Sequence, residues 1–182
     1  YIEVESEITA DLEKIAAANK ILLPGVGAFD AAMQKINDSG LRDALNKKAL
    51  EDKVPLLGIC LGMQLLTSSS EEGKLAGLGW IPAKTVQFSF DDKAMKVPHM
   101  GWNTIKLKKD HPVVAALPDE PKFYFVHSYY VSADSESDVL ATTYYGNDFH
   151  SMIQKDNIIG AQFHPGKSHK YGMALLKNFA AL

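Results

Sequence analysis

Cysteine is nearly absent from this sequence, which has a single one, Cys60, among its 182 residues. One cysteine excludes an internal disulfide, so we expect a reducing compartment and a cytoplasmic location. Long apolar runs are missing as well, because none reaches the roughly 18 residues that a membrane-spanning helix requires. We therefore expect no membrane partner.

A strong charge of either sign is also lacking. The formal net charge is -3 at pH 7, which gives no electrostatic reason to expect nucleic acid or an anionic surface as a partner. We expect neither a metal nor a cofactor. What the chain does have is an apolar fraction of 46%, typical of a globular protein, and a length that suits one domain over residues 1–182.

The first half of the chain alternates strand-like and helix-like segments. The predicted strands are 1–5, 19–27 and 54–60, and the predicted helices are 10–18, 30–40, 41–53 and 61–69. Within the helix over 41–53, Leu41, Leu45 and Leu50 are expected to share one face. Strand–helix alternation of this kind predicts βαβ units and a parallel sheet.

The second half is richer in Val, Thr, Phe and Tyr and is interrupted by Pro and Gly. We predict antiparallel strands within 83–107 and 121–145, a hairpin over 152–165 that turns at Lys155–Asn157, and a closing helix over 171–182. The expected fold is therefore mixed α/β: a mostly parallel central sheet with flanking helices, and antiparallel strands in the second half.

Cys60 lies in the stretch Gly58-Ile59-Cys60-Leu61-Gly62, between an apolar strand and a helix. This G-x-C-x-G pattern is the thiol form of a nucleophile elbow, in which a strained turn lifts the reactive atom out of the sheet edge. The glycines leave room for the turn, and the helix N-terminus would favour a thiolate. The N–H of Leu61 would face an oxyanion formed on attack. The alternative is a buried structural cysteine, and the flanking glycines favour the nucleophile.

A nucleophilic cysteine needs a base, and His164 is the best placed of the six histidines. It follows the predicted strand IIGAQF, and in open α/β folds catalytic groups collect at the carboxyl edge of the sheet. The turn Pro24-Gly25-Val26-Gly27 follows another predicted strand, so N–H groups at Val26 and Gly27 could supply a second oxyanion donor. An ordinary strand-to-helix turn is the alternative for these glycines.

Six motifs occur in order along the chain: PGVGAF, GICLGMQLL, GLGWIP, VPHMGWN, FYFVHSYY, and GAQFHP followed by a serine. Together they resemble the class I, triad-type glutamine amidotransferases, which have a flavodoxin-like fold. The resemblance covers nearly the whole chain. G-x-C-x-G is shared by many members, whereas PGVGAF together with HMGWN and HSYY is most similar to the glutaminase subunits of imidazole glycerol phosphate synthases.

The resemblance implies a reaction and a partner. Such subunits hydrolyse L-glutamine to glutamate and ammonia, and the ammonia passes to a (β/α)8-barrel cyclase subunit in histidine biosynthesis, with which they form a heterodimer. By position, Cys60 would form a γ-glutamyl thioester, and His164 would act first as base and then as acid. The N–H groups of Leu61 and of the Val26–Gly27 turn would form the oxyanion hole.

The resemblance also implies binding positions. Those that hold glutamine in the family fall here on Gln64, Glu72, Ser128 and Tyr129. Those that face the barrel fall on Trp102, Asn103, Tyr124 and Lys167.

The sequence departs from the family in two places. The family ends its site with His-Pro-Glu, whereas Gly166 follows His164 and Pro165 here. A glycine cannot orient the histidine or stabilise its imidazolium, so we predict a Cys–His dyad of reduced activity. The family also has a further strand–helix unit of roughly 25 residues before YIEVE, so we expect the natural chain to start before Tyr1.

Two alternatives stay open at this point. The chain could be a catalytically impaired or inactive subunit that mainly binds the synthase partner, as Gly166 permits. It could also be another class I amidotransferase, serving for example anthranilate, pyridoxal or GMP synthesis.

Overall fold

The computed structural model describes residues 4–182, which form five α-helices and eleven β-strands. The helices are α1 Leu12–Ala17, α2 Phe29–Asp38, α3 Leu41–Asn46, α4 Leu61–Leu65 and α5 His169–Ala181. The strands are β1 Ile21–Gly25, β2 Leu56–Cys60, β3 Ser69–Ser70, β4 Ala83–Gln87, β5 His99–Thr104, β6 Lys106–Leu107, β7 Lys122–His127, β8 Tyr129–Ala133, β9 Val139–Tyr145, β10 Asn147–Lys155 and β11 Ile158–Ala161. A π-helical turn at Lys47–Glu51 extends α3, and 3-10 turns lie at Pro112–Val114, Glu136–Asp138 and Pro165–Lys167.

The main sheet combines a parallel and an antiparallel part. Its order is β1-β2-β11-β10-β8-β4-β3, with β9 paired to β10 and β6 paired to β9. The parallel ladders are β1–β2, β2–β11 and β3–β4, and the others in this sheet are antiparallel. Strands β5 and β7 form a separate antiparallel pair. The predicted mixed α/β class is confirmed, and so are the antiparallel strands of the second half, whose ladders outnumber the parallel ones among the described residues.

Two apolar cores lie on opposite faces of the sheet. Along β2, Leu56 belongs to the core that α2, α3 and α4 cover, and Leu57 belongs to the core that α5 covers. The two residues belong to different cores because successive side chains of a strand point to opposite faces of the sheet. A parallel strand that is buried on both faces reads as a continuous apolar run, which explains why VPLLGIC was recognisable as a strand.

Three local predictions need correction. Of the strand predicted over 1–5, residues 1–3 lie outside the described range, and Val4 and Glu5 belong to no strand. Leu50 is 48% exposed, because a residue five positions after the buried Leu45 falls off the helical period and Ala49 takes the inward position instead.

The helix predicted over 61–69 also ends early, at Leu65. The Oγ1 of Thr67 donates to the carbonyl oxygen of Gln64 at 2.7 Å, which closes the last turn. The chain then enters β3 at Ser69. A hydroxyl that bonds the preceding turn competes with helix continuation.

The carboxyl ends of β1, β2 and β11 lie side by side. In the parallel register Gly25 of β1 is opposite Cys60 of β2, and Ile59 of β2 is opposite Ala161 of β11. The glycine turn, the elbow and the segment that leads to His164 therefore leave the sheet at one edge, where sites of open α/β folds form. Within residues 4–182, no helix is both long and apolar enough to cross a membrane.

Candidate active site

The backbone at Cys60 is strained. Its φ of 54° and ψ of -113° lie in a region that residues other than glycine rarely adopt. The flanking glycines are required by close approach, since a Cβ at Gly58 would lie 2.7 Å from the carbonyl oxygen of Gly62. A Cβ at Gly62 would lie 1.9 Å from the carbonyl oxygen of Leu23. The turn thus has the elbow geometry that G-x-C-x-G predicts.

The Cys60 thiol is half-buried and uncharged at neutral pH. Burial raises the pKa of the thiol, and hydrogen bonds from the Leu61 N–H and from Gln162 only partly oppose that rise. Helix α4 has five residues, too few for its dipole to offset the burial. The Leu61 N–H at the start of α4 does favour the thiolate, but burial outweighs it, so the thiol needs a base to react.

His164 lies between the end of β11 and the 3-10 turn at Pro165–Lys167. Its N–H donates to the carbonyl oxygen of Tyr124 at 2.9 Å, and its own carbonyl oxygen accepts from the Ser168 hydroxyl at 2.7 Å. Burial and then the nearby Lys167 lower the pKa of His164 below its ordinary value. The imidazole is therefore neutral at neutral pH and able to accept a proton.

The imidazole of His164 has an unsatisfied nitrogen. Its Nε2 is buried and has no hydrogen-bond partner among residues 4–182. No hydrogen bond joins it to the Cys60 sulfur in this range either, and such contacts often tighten only when substrate is bound. A buried polar atom without a partner is unfavourable by about 1–3 kcal/mol, so a group that can pair with this nitrogen would stabilise it.

One cavity of about 310 Å³ gathers the candidate residues. This volume is at the small end of the range for small-molecule sites. The proposed nucleophile, base, oxyanion and substrate-binding positions, together with Lys167, all line it: Val26, Gly27, Cys60, Leu61, Gln64, Glu72, Ser128, Tyr129, His164 and Lys167. The structure thus brings these predicted positions together at one edge of the sheet.

Two of the predicted substrate-binding side chains are held in place by the chain itself. The Nε2 of Gln64 donates to the carbonyl oxygen of Tyr129 at 3.2 Å and to the Oε1 of Gln162 at 3.1 Å. The Oε2 of Glu72 accepts from the backbone N–H of Phe29 at 3.1 Å. An amide and a carboxylate are therefore fixed in the wall of the cavity.

The predicted partner-facing residues lie outside the cavity, except for Lys167, which also lines it. Trp102 is 48% exposed and lies edge-on to Tyr124, with 6.0 Å between the ring centroids. The ring of His169 stacks on Trp102 at 5.3 Å, and the Nζ of Lys167 lies 5.8 Å from the ring centroid of Tyr124. We call these four residues the aromatic patch.

Asn103 and Gly166 also lie outside the cavity lining. The Nδ2 of Asn103 donates to the carbonyl oxygen of Tyr144 at 2.9 Å and lies 3.2 Å from the Nε2 of His99. Asn103 is thus held by its own chain. Gly166 is exposed, and a Cβ built there meets nothing within 4 Å, so the position has room for a side chain.

Three residues of the site were not predicted from the sequence. Val126 and His127 line the cavity, and the buried Gln162 approaches the Cys60 sulfur with its Nε2 at 3.8 Å. A signal existed for Gln162, because it precedes His164 by two positions and residues two apart in extended chain share a face. No group of three or more His, Cys, Asp or Glu able to hold a metal ion occurs in the described part of the chain.

Comparison with known proteins gives relatives that match nearly the whole chain. Subunit HisH 2 of imidazole glycerol phosphate synthase from Methanococcus maripaludis is 53% identical, over 98% of this chain and 88% of the relative. A subunit of the same name from Pseudomonas aeruginosa is 47% identical, over 93% and 84%. Subunit HisH from Leptospira interrogans is 44% identical, over 100% and 90%.

Solved structures share the fold at low sequence identity. A crystal structure of a glutamine amidotransferase has a TM-score of 0.74 at 15% identity and covers 98% of this chain and 88% of its own. A glutamine amidotransferase from Thermotoga maritima has a TM-score of 0.59 at 16% identity, over 93% and 64%. The family model "Glutamine amidotransferase class-I" matches residues 2–182. The chain therefore belongs to the class I glutamine amidotransferase family.

Proposed function

We propose that this chain is the glutaminase subunit of an imidazole glycerol phosphate synthase and acts in the cytoplasm. It hydrolyses L-glutamine to glutamate and ammonia and delivers the ammonia to a cyclase subunit, with which it forms a heterodimer. The observation that carries the proposal is the strained elbow at Cys60, which shares one cavity with His164. The relatives that cover the chain at 44–53% identity bear the name of that synthase.

The first half of the reaction breaks the amide bond. The Cys60 sulfur attacks the side-chain amide carbon of glutamine, and its proton passes to the neutral His164. The N–H groups of Leu61 and of the Val26–Gly27 turn stabilise the oxyanion that forms. His164 then gives its proton to the departing nitrogen, so ammonia leaves and a γ-glutamyl thioester remains on Cys60.

The second half restores the enzyme. Water attacks the thioester carbon while His164 accepts a proton from it, and the carbon–sulfur bond breaks as glutamate forms. His164 returns that proton to the Cys60 sulfur. Each step requires the imidazole to be neutral when it acts as a base, which agrees with the lowered pKa of His164.

The cavity wall offers complementary groups to the amino-acid end of glutamine. The carboxylate of Glu72 pairs with the ammonium group of the substrate. Polar groups of Gln64, Ser128 and Tyr129 hold the rest of the substrate along the same wall. These contacts place the side-chain amide at the elbow, where attack occurs.

The aromatic patch is the proposed docking surface for the cyclase. An exposed Trp beside a half-buried Tyr and a cation is typical of the residues that dominate binding at protein interfaces. Lys167 belongs to both the patch and the cavity lining. Docking on the patch thus brings the partner close to the place where ammonia is released.

A second candidate function follows from Gly166. No carboxylate side chain is present at this position, and the Nε2 of His164 is buried with no hydrogen-bond partner in the described range 4–182. A chain of this kind could bind the synthase and hydrolyse little or no glutamine. The glutaminase remains the stronger proposal, because the residues proposed as nucleophile, base and substrate-binding groups all line one cavity.

Ammonia and glutamate production from L-glutamine tests the proposal, with the chain alone and with a cyclase subunit and its ligand. We expect slow hydrolysis alone, faster hydrolysis with the partner, and none after Cys60→Ser. Binding of the cyclase without hydrolysis would support the second candidate. Stimulation only by the acceptor subunit of another amidotransferase would reassign the partner.

A further inference from the structure

A row of buried and half-buried hydrogen bonds connects β5 to the sulfur of Cys60, and we call it the polar chain. Its members are Asn103, His99, His127, Tyr129, Gln64 and Gln162. In the first arm, Asn103 Nδ2 lies 3.2 Å from His99 Nε2, His99 Nδ1 lies 2.9 Å from His127 Nε2, and His127 Nδ1 lies 2.7 Å from the backbone carbonyl oxygen of Tyr129. In the second arm, Gln64 Nε2 lies 3.2 Å from the same carbonyl oxygen and 3.1 Å from Gln162 Oε1. Gln162 Nε2 then lies 3.8 Å from Cys60 Sγ. The reaction steps above use none of its imidazoles.

A backbone carbonyl fixes the direction of the first arm. The Tyr129 oxygen can only accept, so the Nδ1 of His127 carries the proton and its Nε2 is an acceptor. The Nδ1 of His99 must then donate to that Nε2, which leaves the Nε2 of His99 to accept from the amide of Asn103. The same amide nitrogen donates to the carbonyl oxygen of Tyr144, so its orientation is fixed as well.

The same carbonyl fixes the direction of the second arm. Gln64 must turn its amide nitrogen toward the Tyr129 oxygen, and that nitrogen also donates to the Oε1 of Gln162. With its oxygen occupied, Gln162 can present only its amide nitrogen to Cys60. The sulfur therefore faces a donor whose orientation is set by two neighbours, and no rotation of the Gln162 amide preserves these bonds.

Burial keeps the two imidazoles of the polar chain neutral. His99 and His127 are 3% and 6% exposed, and burial lowers the pKa of His99 to about 4 and the pKa of His127 to about 3. A protonated imidazole has no acceptor nitrogen, so protonation of His99 or of His127 would break a hydrogen bond of the polar chain. The tautomers are thus the same over the whole neutral range.

We propose that Gln162 is a positioning residue for Cys60. Its amide N–H holds the sulfur in place and stabilises the negative charge that the sulfur acquires, and Gln64 and the rest of the polar chain fix its orientation. The proposal deepens the proposed function, because it rests on Cys60 as the nucleophile. A donor to sulfur favours the thiolate, so loss of this donor makes the thiol harder to ionise.

The pH dependence of Cys60 alkylation by iodoacetamide tests this role on the full chain, with mass spectrometry as the readout. Gln162→Met removes the donor, and we expect the midpoint of the pH profile to rise by about 1 unit. Gln162→Glu keeps the shape but presents an oxygen to the sulfur, so its rise is larger. Gln64→Leu frees the Gln162 amide to turn and gives a smaller rise.

Ser151→Ala is the matched control, because Ser151 is fully buried on the neighbouring strand and its hydroxyl has no partner among residues 4–182. Its midpoint should equal that of the unchanged chain. The other titratable groups that line the cavity are Glu72, His127, Tyr129, His164 and Lys167, and they are the same in every variant. A smaller rise of the midpoint in Gln162→Met than in Gln162→Glu distinguishes the loss of a donor from a general disruption of packing.

Two results would overturn the proposal: unchanged midpoints in both Gln162 variants, or an equal shift in these variants and in Ser151→Ala. If Gln162→Met does not fold, the midpoint of the isosteric Gln162→Glu, compared with that of Ser151→Ala, is the test. Alkylation needs no glutamine hydrolysis, so the test is independent of the proposed reaction. A chain that hydrolyses no glutamine but shows the ordered shifts would refute the proposed function and leave the role of Gln162 intact.

Discussion

Two neutral groups, a thiol and an imidazole, face the same cavity, and this governs the chemistry at the scale of single residues. Burial raises the pKa of Cys60 and lowers the pKa of His164, so the two do not form a stable ion pair at neutral pH. His164 must take the proton while the sulfur attacks. Glutaminase activity should therefore persist at pH 6.5 and fall only as the pH drops through the lowered pKa of His164.

Gly166→Glu should raise both the turnover and the pKa of His164. A carboxylate beside an imidazole favours the charged form and stabilises the imidazolium that develops during attack. We expect kcat to rise roughly tenfold or more in the presence of the cyclase, and the acidic limb of kcat/KM to move to higher pH. Space is available, since a Cβ at this position meets nothing within 4 Å.

Gly166→Gln is the control for this substitution, because it has the same length without the charge. Its acidic limb should stay where it is in the unchanged chain. Equal profiles for the glutamate and glutamine variants would show that the carboxylate is irrelevant here or that another group already replaces it.

The buried pair His99 and His127 should make the fold less stable in mild acid. Because burial lowers the pKa of these two residues to about 4 and about 3, the unfolded chain binds protons below pH 6.5 that the folded chain does not. Stability is thus full above pH 6.5 and falls as the pH drops from there. The expected loss between pH 7 and pH 5 is about 2 kcal/mol for each of the two.

Urea unfolding at pH 7 and pH 5 measures that loss, to which His111, His150 and His164 add in the same direction. His99→Gln, which can still donate to His127, should reduce the loss by about 2 kcal/mol. The exposed His169 provides the control, since His169→Gln should leave the loss unchanged. A loss that is the same in all three chains would contradict the assignment of neutral buried imidazoles.

At the scale of secondary-structure elements, one serine joins the segment of His164 to β7. The hydroxyl of the buried Ser168 accepts from the Tyr124 N–H at 3.0 Å and donates to the His164 oxygen at 2.7 Å. The His164 N–H in turn donates to the Tyr124 oxygen. These contacts set the position of the imidazole relative to the sheet edge.

Ser168→Ala should therefore weaken both the fold and the site. Two hydrogen bonds are lost, and the Tyr124 N–H is left without its partner, so the free energy of unfolding should fall by about 1–3 kcal/mol. Glutaminase kcat should fall with little change in KM, because the imidazole and not the substrate wall is released. Ser137→Ala, on an exposed turn, should change neither quantity, and equal behaviour of the two variants would contradict this role.

The elements at the sheet edge were predictable because their chemistry is local. An apolar run, a G-x-C-x-G turn and a strand that ends before His164 each have a physical signature within a few residues. The parallel register then brings them together without further information. Leu50 shows where such reasoning fails, since three leucines in one helix do not share a face unless their spacing follows the helical period.

The polar chain could not be predicted in the same way. His99, Gln64 and Gln162 come from three distant segments, and their meeting depends on the β5–β7 pairing and on the β10–β11 hairpin lying beside β2. Their buried amides and imidazoles look like ordinary core or surface residues in the sequence. Only the distances between them reveal the hydrogen bonds that connect them.

At the scale of the whole molecule, the cavity and the aromatic patch adjoin at Lys167. Trp102→Ala should weaken binding of the cyclase roughly tenfold or more, because exposed Trp residues with aromatic neighbours often dominate an interface. Titration calorimetry with the cyclase measures the Kd. Ile8→Ala removes another exposed apolar side chain, on the N-terminal segment, and should leave the Kd unchanged. Equal Kd values for both variants would place the docking surface elsewhere.

The central claim is that Cys60 attacks glutamine, and covalent labelling tests it most directly. The chain is incubated with a diazo-ketone analogue of glutamine in the presence of the cyclase, and its intact mass and peptides are measured. We predict one adduct, on the Cys60 peptide, that excess glutamine prevents and that Cys60→Ser abolishes. No adduct, or an adduct that survives Cys60→Ser, would contradict the assignment.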